Sequence, residues 1–564
     1  VSEYNLGALH RRVAERLGPR TALRYKEYGR YRDYSYADYR SDADAFAAHL
    51  ISLGIQAGDH IGLLSENRYE WLVTDIGILS AGAADVPMHA PLSPKQIEYQ
   101  LSHSEARGVI VSNQLQADKV LEVAGDLPNL EFLISFDPLE PQTKLQYWTW
   151  DGFLQAGRNL GADGQYRVLS REGMVGSDSL ATIIYTSGTT GNPKGVMLTH
   201  GNLQSNSEAM LESGASQAGD LSLSWLPYSH IYARTVDHYQ AILAQMTVCI
   251  AESVETLVLN LAETQPSWMA SVPRFYEKLW AMVGHLDAEV RSQQLQKIFG
   301  PRLRQLSSGG APLPKHIAEG FIAAGISLMD GYGLTESSPV ITFNRLDDNK
   351  TGTVGKAIPG VEIKIGDEGE ILTRGPHVMK GYWKNPDATA ETIVEGWLHT
   401  GDVGEIDDDG FLTITDRKKD LIITSGGKNI SPTELETLLV SDVFIDQAVT
   451  YGDGRQFVSA LLVPNFPQLE AKAAELGASL TADGDFLCED ALVAFYEERV
   501  ARVMEAVSQP ERVKRILVLA RPFQLEENEL TATLKVRRRF IIDKYRDQLD
   551  ALYTAAVTNA DQGD

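Results

Sequence analysis

Between positions 186 and 195 the chain reads Thr-Ser-Gly-Thr-Thr-Gly-Asn-Pro-Lys-Gly, so four hydroxyls, three glycines and a lysine fall within ten residues. Glycine lets backbone N–H groups approach a ligand closely. Successive N–H groups and hydroxyls wrap phosphate oxygens, and a lysine adds a point charge. Thr186, Ser187, Gly188, Thr189, Thr190, Gly191 and Lys194 therefore have the chemistry of a phosphate cradle. The spacing is not that of a P-loop: Lys194 stands six positions after Gly188, but Pro193 occupies the place of the second glycine. The competing reading is an ordinary polar surface loop, since stretches rich in Gly, Ser and Thr commonly form them.

A cradle must be held by something rigid. The run Leu180 to Tyr185 reads as a buried strand that opens directly into it. Upstream, helical patterns (40–53 and Glu70 to Ala81) alternate with short apolar runs (His60 to Leu64 and Gly108 to Ser112). That alternation predicts α/β layers around a mainly parallel sheet. The stretch 361–416 carries the strand-like runs VEIKI, GEILT and FLTIT separated by turn pairs such as Asp409-Gly410, which predicts a β-rich subdomain. After Asp416 the texture changes. A basic cluster, Arg417-Lys418-Lys419, precedes the strand-like LIIT and a Gly-Gly turn, and a helix starts at Ser431 with Pro432 in its first turn and Glu434 placed for a capping box. The expected fold class is α/β: a large N-terminal domain over 1–416, built of layered α/β subdomains and the β-rich piece, and a small mobile α+β C-terminal domain over 417–564.

The chain has 564 residues, 51 Lys+Arg against 76 Asp+Glu, and a formal net charge of −25. Its 43% hydrophobic content excludes wholesale disorder. The acidic balance argues against general nucleic-acid binding, which needs a basic footprint. Two cysteines, Cys249 and Cys488, cannot build a disulfide framework or a Cys-based zinc site. The first residues lack the apolar core of a signal peptide, and the most apolar stretch, Trp71 to Ala84, is shorter than a bilayer requires and contains Thr74 and Asp75. It reads as a buried helix. A soluble, cytoplasmic protein is expected, compatible with a peripheral contact at the inner membrane face.

The string YTSGTTGNPKG resembles the signature of the adenylate-forming enzymes: acyl-CoA synthetases, firefly-type luciferases and peptide-synthetase adenylation domains. The resemblance runs through roughly residues 20–545, with further motifs in the family's order. LPYSHIYAR, residues 226–234, is similar to the long-chain fatty acyl-CoA synthetase branch, and implies that His230 lies beside the substrate carboxylate and the phosphate path. SSGGAP implies that Gly309, Gly310 and Ala311 face the acyl group and the adenine. Asp330-Gly331-Tyr332-Gly333-Leu334-Thr335-Glu336 implies an adenine platform at Tyr332 with Asp330 at the base edge. In the same motif Thr335 is implied at the α-phosphate and Glu336 as a Mg²⁺ carboxylate, with Thr186 as a second metal ligand, direct or through water.

Asp402 matches the family's ribose carboxylate, Arg417 its ribose or phosphate contact, and Lys419 joins the same binding set. Asp416 matches the hinge about which the small domain swings. Gly426, Gly427 and Lys428 match the loop that lines the pantetheine tunnel in the second half-reaction. Lys535 matches the adenylation lysine, although Thr-Leu-Lys stands here where many members have Ser-Gly-Lys.

The resemblance implies two steps on ATP, Mg²⁺ and coenzyme A. A fatty carboxylate forms acyl-AMP and pyrophosphate, then CoA displaces AMP. Because carboxylate and phosphate are both anionic, the work is positioning and charge neutralisation. The alternatives are a ligase that passes the acyl group to a carrier protein, one that activates aromatic acids, and a non-catalytic nucleotide-binding regulator. A monomer and a homodimer are equally compatible with the sequence.

Overall fold

The computed structural model describes residues 5–140, 143–186, 192–418, 420–425, 429–525, 527–531 and 535–560. The described chain is mixed α/β and divides into two compact units. The first comprises residues 1–364, 372–400 and 408–412; the second comprises 365–371, 401–407 and 413–564.

In the first unit, β1 (Thr21–Glu27) and β2 (Arg30–Ser35) form an antiparallel pair. Then come β3 (His60–Leu64), β4 (Ala84–Met88), β5 (Gly108–Val111), β6 (Phe132–Ser135) and β7 (Gln146–Thr149). A hairpin of β8 (Leu180–Thr186) and β9 (Lys194–Thr199) follows. Next are β10 (Leu221–Ser224), β11 (Thr247–Ile250), β12 (Trp268–Ser271), β13 (Gln305–Ser308), β14 (Leu328–Gly333), β15 (Val340–Phe343) and β16 (Lys356–Ala357). β17 (Glu362–Ile365) and β18 (Glu370–Arg374) precede β19 (Gly381–Tyr382).

Two sheets organise this unit. One runs β19-β9-β8-β4-β3-β5-β6-β7; the other runs β16-β15-β14-β13-β12-β10-β11-β1-β2. Their centres are parallel: β3 pairs with β4 and β5, β4 with β8, β10 with β11 and β12, and β13 with β12 and β14. Antiparallel pairs occupy the margins, among them β8 with β9 and β9 with β19. Strands β3, β4 and β5 are buried at every position, which is what unbroken apolar runs covered on both faces require. The helix Tyr69–Ser80 is likewise buried almost throughout, and a Cβ on Gly77 would come within 2.7 Å of Phe46. That helix is a core element, as the apolar stretch from Trp71 predicts. Among the described residues no helix is long and apolar enough to cross a membrane.

The second unit has its own core. Strand Ile445–Tyr451 pairs antiparallel with Val458–Pro464, which pairs parallel with Val513–Val518. Helices Pro432–Val440 and Asp490–Val503 cover the sheet, burying Leu435, Leu439, Leu492 and Tyr496 against Val458, Leu462 and Ile516. Helix Pro432–Val440 has Pro432 in its first turn, and the Ser431 hydroxyl accepts from the Glu434 N–H at 3.1 Å, which is the Ser431 half of the expected capping box.

Candidate active site

Thr186 ends β8 and Lys194 begins β9, and the two residues face each other in the ladder. Both therefore stand at the mouth of the Gly/Thr-rich turn, and their spacing is set by sheet register. The turn's flank is anchored from outside: the Tyr99 hydroxyl donates to the Pro193 carbonyl at 3.0 Å, and the Trp383 N–H donates to Gly195 at 2.7 Å. Ser187, Gly188, Thr189, Thr190 and Gly191 lie outside the described residues, as do Lys419, Gly426, Gly427 and Lys428.

Tyr382 joins two of the predicted residues. It lies on β19 opposite Val196 of β9, and the Lys194 ammonium sits 4.7 Å from its ring centroid. Its hydroxyl donates to Glu336 Oε1 at 2.9 Å. Burial, reinforced by the Glu336 charge, pushes the Tyr382 phenol far above its usual range, so it remains a donor. Glu336 belongs to the 3₁₀ turn Thr335–Ser337, and its carbonyl accepts from the Met379 N–H at 2.9 Å. A lysine and a carboxylate from separate segments are thus tied together through one buried phenol, with Thr186 standing across the ladder from the lysine. Among the described residues no cluster of three or more His, Cys, Asp or Glu side chains could cage a metal. A single carboxylate with a neighbouring hydroxyl suits a hard cation that keeps most of its water, as Mg²⁺ does, so the donor set fits that ion.

The adjacent ends of β13 and β14 carry the next group. Ser308 pairs with Asp330 in the parallel register. Asp330 Oδ1 accepts from the Gly331 N–H at 3.1 Å. Its side chain reaches the surface in part, yet its dense surroundings desolvate it and push the carboxyl well above the usual range, with the Gly331 N–H opposing. Tyr332 is buried opposite Thr342 of β15. Gly333 is sterically obligatory, because a Cβ there would lie 1.8 Å from the Pro339 carbonyl oxygen. A Cβ on Gly309 would come within 3.2 Å of the Tyr232 ring, so the missing side chain makes room for Tyr232. Gly310 follows at φ +85°, in the left-handed region, and Ala311 is half-buried.

His230 caps the short helix Ile231–Ala233. Its Nδ1 accepts from the Tyr232 N–H at 3.2 Å, so in the neutral ring Nε2 carries the proton. The His89 ring stacks at 6.5 Å, and its Nδ1 is 2.7 Å from the Ser229 hydroxyl. Burial pulls His89 down to about 4, which keeps it neutral.

Directly after this turn the helix widens to π geometry over Arg234–Tyr239. π turns recur at functional sites, and this one carries a buried charge cluster. Arg234 donates to Tyr239 at 2.8 Å, to Thr182 of β8 at 2.8 Å and to Asp85 of β4 at 2.7 Å, and pairs with Asp75. His238 Nε2 lies 2.8 Å from the other Asp75 oxygen. Burial raises Asp75, but Arg234 and His238 outweigh it and leave that carboxyl below its usual range, whereas burial drives Asp85 well above. Asp75 thus balances the guanidinium, while burial disfavours charge on Asp85. Thr182 and Asp85 are direct ladder partners, so Arg234 ties the histidine-bearing segment to the strand that opens into the cradle. Sequence reading missed Asp75, Asp85 and Tyr382.

In the second unit Asp402 is buried on the strand Trp397–Ile406, and Arg417 Nε donates to its Oδ1 at 2.8 Å. Asp416 Oδ1 accepts from the Arg417 N–H at 2.6 Å, and burial raises its carboxyl. Lys535 lies in a loop closed by a Leu530–Val536 bridge. Its N–H donates to the Thr531 hydroxyl at 3.0 Å, and its carbonyl accepts from the Thr531 N–H at 2.8 Å. Burial, with Arg417 adding and Asp402 opposing, pulls the Lys535 ammonium down to about 8. Asp402, Arg417 and Lys535 therefore share one electrostatic neighbourhood.

The family described as AMP-binding enzyme matches residues 10–383, and the AMP-binding enzyme C-terminal domain matches residues 419–557. The chain is 33% identical to the long-chain-fatty-acid–CoA ligase FadD15 of Mycobacterium bovis, over 93% of this chain and 93% of that protein. It is 29% identical to the long-chain-fatty-acid–CoA ligase ACSBG2 of Xenopus laevis, over 98% of this chain and 84% of that one. The adenylation domain of a carboxylate reductase from Mycobacterium chelonae superposes with a TM-score of 0.81 at 22% identity, covering 98% of this chain and 91% of that chain, a likeness of fold.

Proposed function

The chain belongs to the AMP-binding enzyme family, and on that premise we propose that it activates a long-chain fatty acid with ATP and transfers the acyl group to coenzyme A. A carboxylate oxygen forms a bond to the α-phosphorus as pyrophosphate leaves. The CoA thiolate then attacks the acyl carbon and AMP leaves with the electron pair of the broken C–O bond. The observation that carries this reading is the convergence of Lys194 and Glu336 on Tyr382, with Thr186 paired to Lys194 in the ladder. It sets a cation, a hard carboxylate and a hydroxyl beside the mouth of a Gly/Thr-rich turn, and relatives over nearly the whole length are named as long-chain fatty acid ligases.

The residue roles proposed are those the family resemblance implies for these positions, and the geometry is compatible with them. Lys194 and the turn bind the triphosphate. Glu336, with Thr186, would hold Mg²⁺, which when bound neutralises phosphate charge. Tyr332 and Asp330 receive the adenine, and Gly309, Gly310 and Ala311 leave room beside it. Thr335 contacts the α-phosphate. His230 points a protonated Nε2 at the fatty carboxylate, orienting one anion beside another. Asp402, held by Arg417, accepts from the ribose hydroxyls, the physics of the acidic residue in dinucleotide folds. Lys535 supplies charge to the developing pentacoordinate phosphorus. Gly426, Gly427 and Lys428 serve the thioester step, Lys419 joins Asp402 and Arg417 in the nucleotide-binding set, and Asp416 is the hinge between the two steps.

The test is CoA-dependent AMP formation with fatty acids of graded length and with benzoate. Turnover that rises with chain length and needs CoA supports the proposal. Turnover with benzoate alone, or adenylate that accumulates regardless of CoA, contradicts it.

A further inference from the structure

Glu529 has no task in the reaction just described, yet its side chain is fully buried. Four short donors converge on it: both terminal nitrogens of Arg521 at 2.8 and 2.7 Å, the Gln524 N–H at 2.9 Å and the Lys544 ammonium at 3.0 Å, with the Tyr545 hydroxyl a longer fifth at 3.3 Å. Burial pushes the carboxyl up, but Arg521, the Gln524 N–H and Lys544 outweigh it and hold it below the usual range. Arg521 is fixed in turn, donating to Tyr545 at 2.7 Å and to Asp485, whose carboxylate also accepts from Tyr545 at 2.7 Å.

This cluster sits at the base of the loop that carries Lys535. The Glu529 carbonyl accepts from the Arg537 N–H at 2.8 Å, so Glu529 is the residue at which the loop closes. The far end is pinned separately. Arg538 donates to the Thr450 carbonyl at 3.1 Å and pairs with Glu436, which accepts from the Thr450 N–H at 2.6 Å. Lys535 thus stands between two ionic anchors. An apolar plug could stabilise such a site as well or better. An ionised carboxylate with four directed donors adds a fixed geometry, because displacing it breaks several charge-assisted bonds at once.

We propose that Glu529 is a positioning residue for Lys535, holding its loop in the geometry that acyl-adenylate formation needs. The proposal rests on the role given to Lys535 above. A carboxylate that only stabilised the small unit would affect both half-reactions alike, whereas one acting through Lys535 affects only the first.

The experiment compares Glu529→Gln, the milder Lys544→Met and Lys535→Ala in the full chain. Fatty-acid-dependent ATP–pyrophosphate exchange and acyl-CoA formation from preformed acyl-AMP are measured on each, with a thermal melt. In Glu529→Gln the exchange kcat falls about tenfold or more, while the KM for ATP and the thioester step stay within about twofold. Lys544→Met shows the same split at about threefold, and decides the matter should Glu529→Gln not fold. Adding Glu529→Gln to Lys535→Ala lowers exchange no further. Parallel loss in both half-reactions, or full exchange in a folded Glu529→Gln, overturns the proposal. If Lys535→Ala itself retains exchange, the role of Lys535 is wrong and the proposal falls with it.

Discussion

Lys194 and Lys535 are held by opposite means. Lys194 opens a strand of a buried sheet, its height fixed by pairing with Thr186 and its ammonium resting 4.7 Å from the Tyr382 ring centroid. Lys535 leaves a loop whose ends are tied by the Glu529 and Glu436 ion pairs. A ladder residue cannot shift alone, since a one-residue slip turns every side chain of its strand to the other face. A clamped loop can be released by a single substitution. The ladder suits a group that must stay on its ligand, and the clamp suits a group that acts in one step of two.

If the ladder side is secured through Arg234, then Arg234→Met leaves two buried carboxyls without their cation. Stability should fall by about 3–5 kcal/mol, the scale for breaking a buried pair, read as a marked drop in melting temperature. An unchanged melt would show that the cluster does not brace β4 and β8.

On the clamp side, Lys535→Ala should lower acyl-adenylate formation by about a hundredfold or more and leave thioester formation from preformed acyl-AMP far less affected. Equal losses in both steps would erase the contrast between the two lysines.

The same lysine gives a pH signature. Its ammonium is depressed to about 8, so the cationic form is complete well below that pH and disappears above it. The kcat/KM for exchange, which reports the free enzyme, should therefore fall about tenfold per pH unit above that point. Lys535→Arg should remain flat to about pH 10, because a guanidinium does not titrate there. A wild-type profile flat through pH 9 would place the lysine in water rather than in the desolvated setting described.

The smallest effect is expected at the joint of the first cluster. Tyr382→Phe removes one bond to Glu336, and should raise the Mg²⁺ concentration needed for half-maximal exchange by about three- to tenfold without changing the melt.

The fold was legible where burial leaves a plain pattern. His60–Leu64 and Gly108–Val111 are covered on both faces and so read as short unbroken apolar runs, and the run from Leu180 ends where the Gly/Thr-rich turn begins. What stayed hidden depends on distance along the chain. Glu336 and Tyr382 are 46 residues apart, and Tyr382 lies on a strand of two residues, too short for any periodicity. Asp75 spoke in the sequence only against a membrane span, and its guanidinium partner lies 159 residues away. The π turn over Arg234–Tyr239 is six residues long, too few to separate its period from that of an α-helix. Motif reading pointed to Lys194, Glu336, Asp402 and Arg417, and folding supplies the phenol that links the first pair and the direct ion pair that joins the second.

The central claim is that the Thr186–Lys194 turn grips ATP for attack by a fatty carboxylate. Exchange of labelled pyrophosphate into ATP tests it most directly, with Mg²⁺ and a long-chain fatty acid present and CoA omitted. The account predicts exchange that requires both the acid and the metal. Absence of exchange with every acid supplied, by folded protein that still binds ATP, would contradict it.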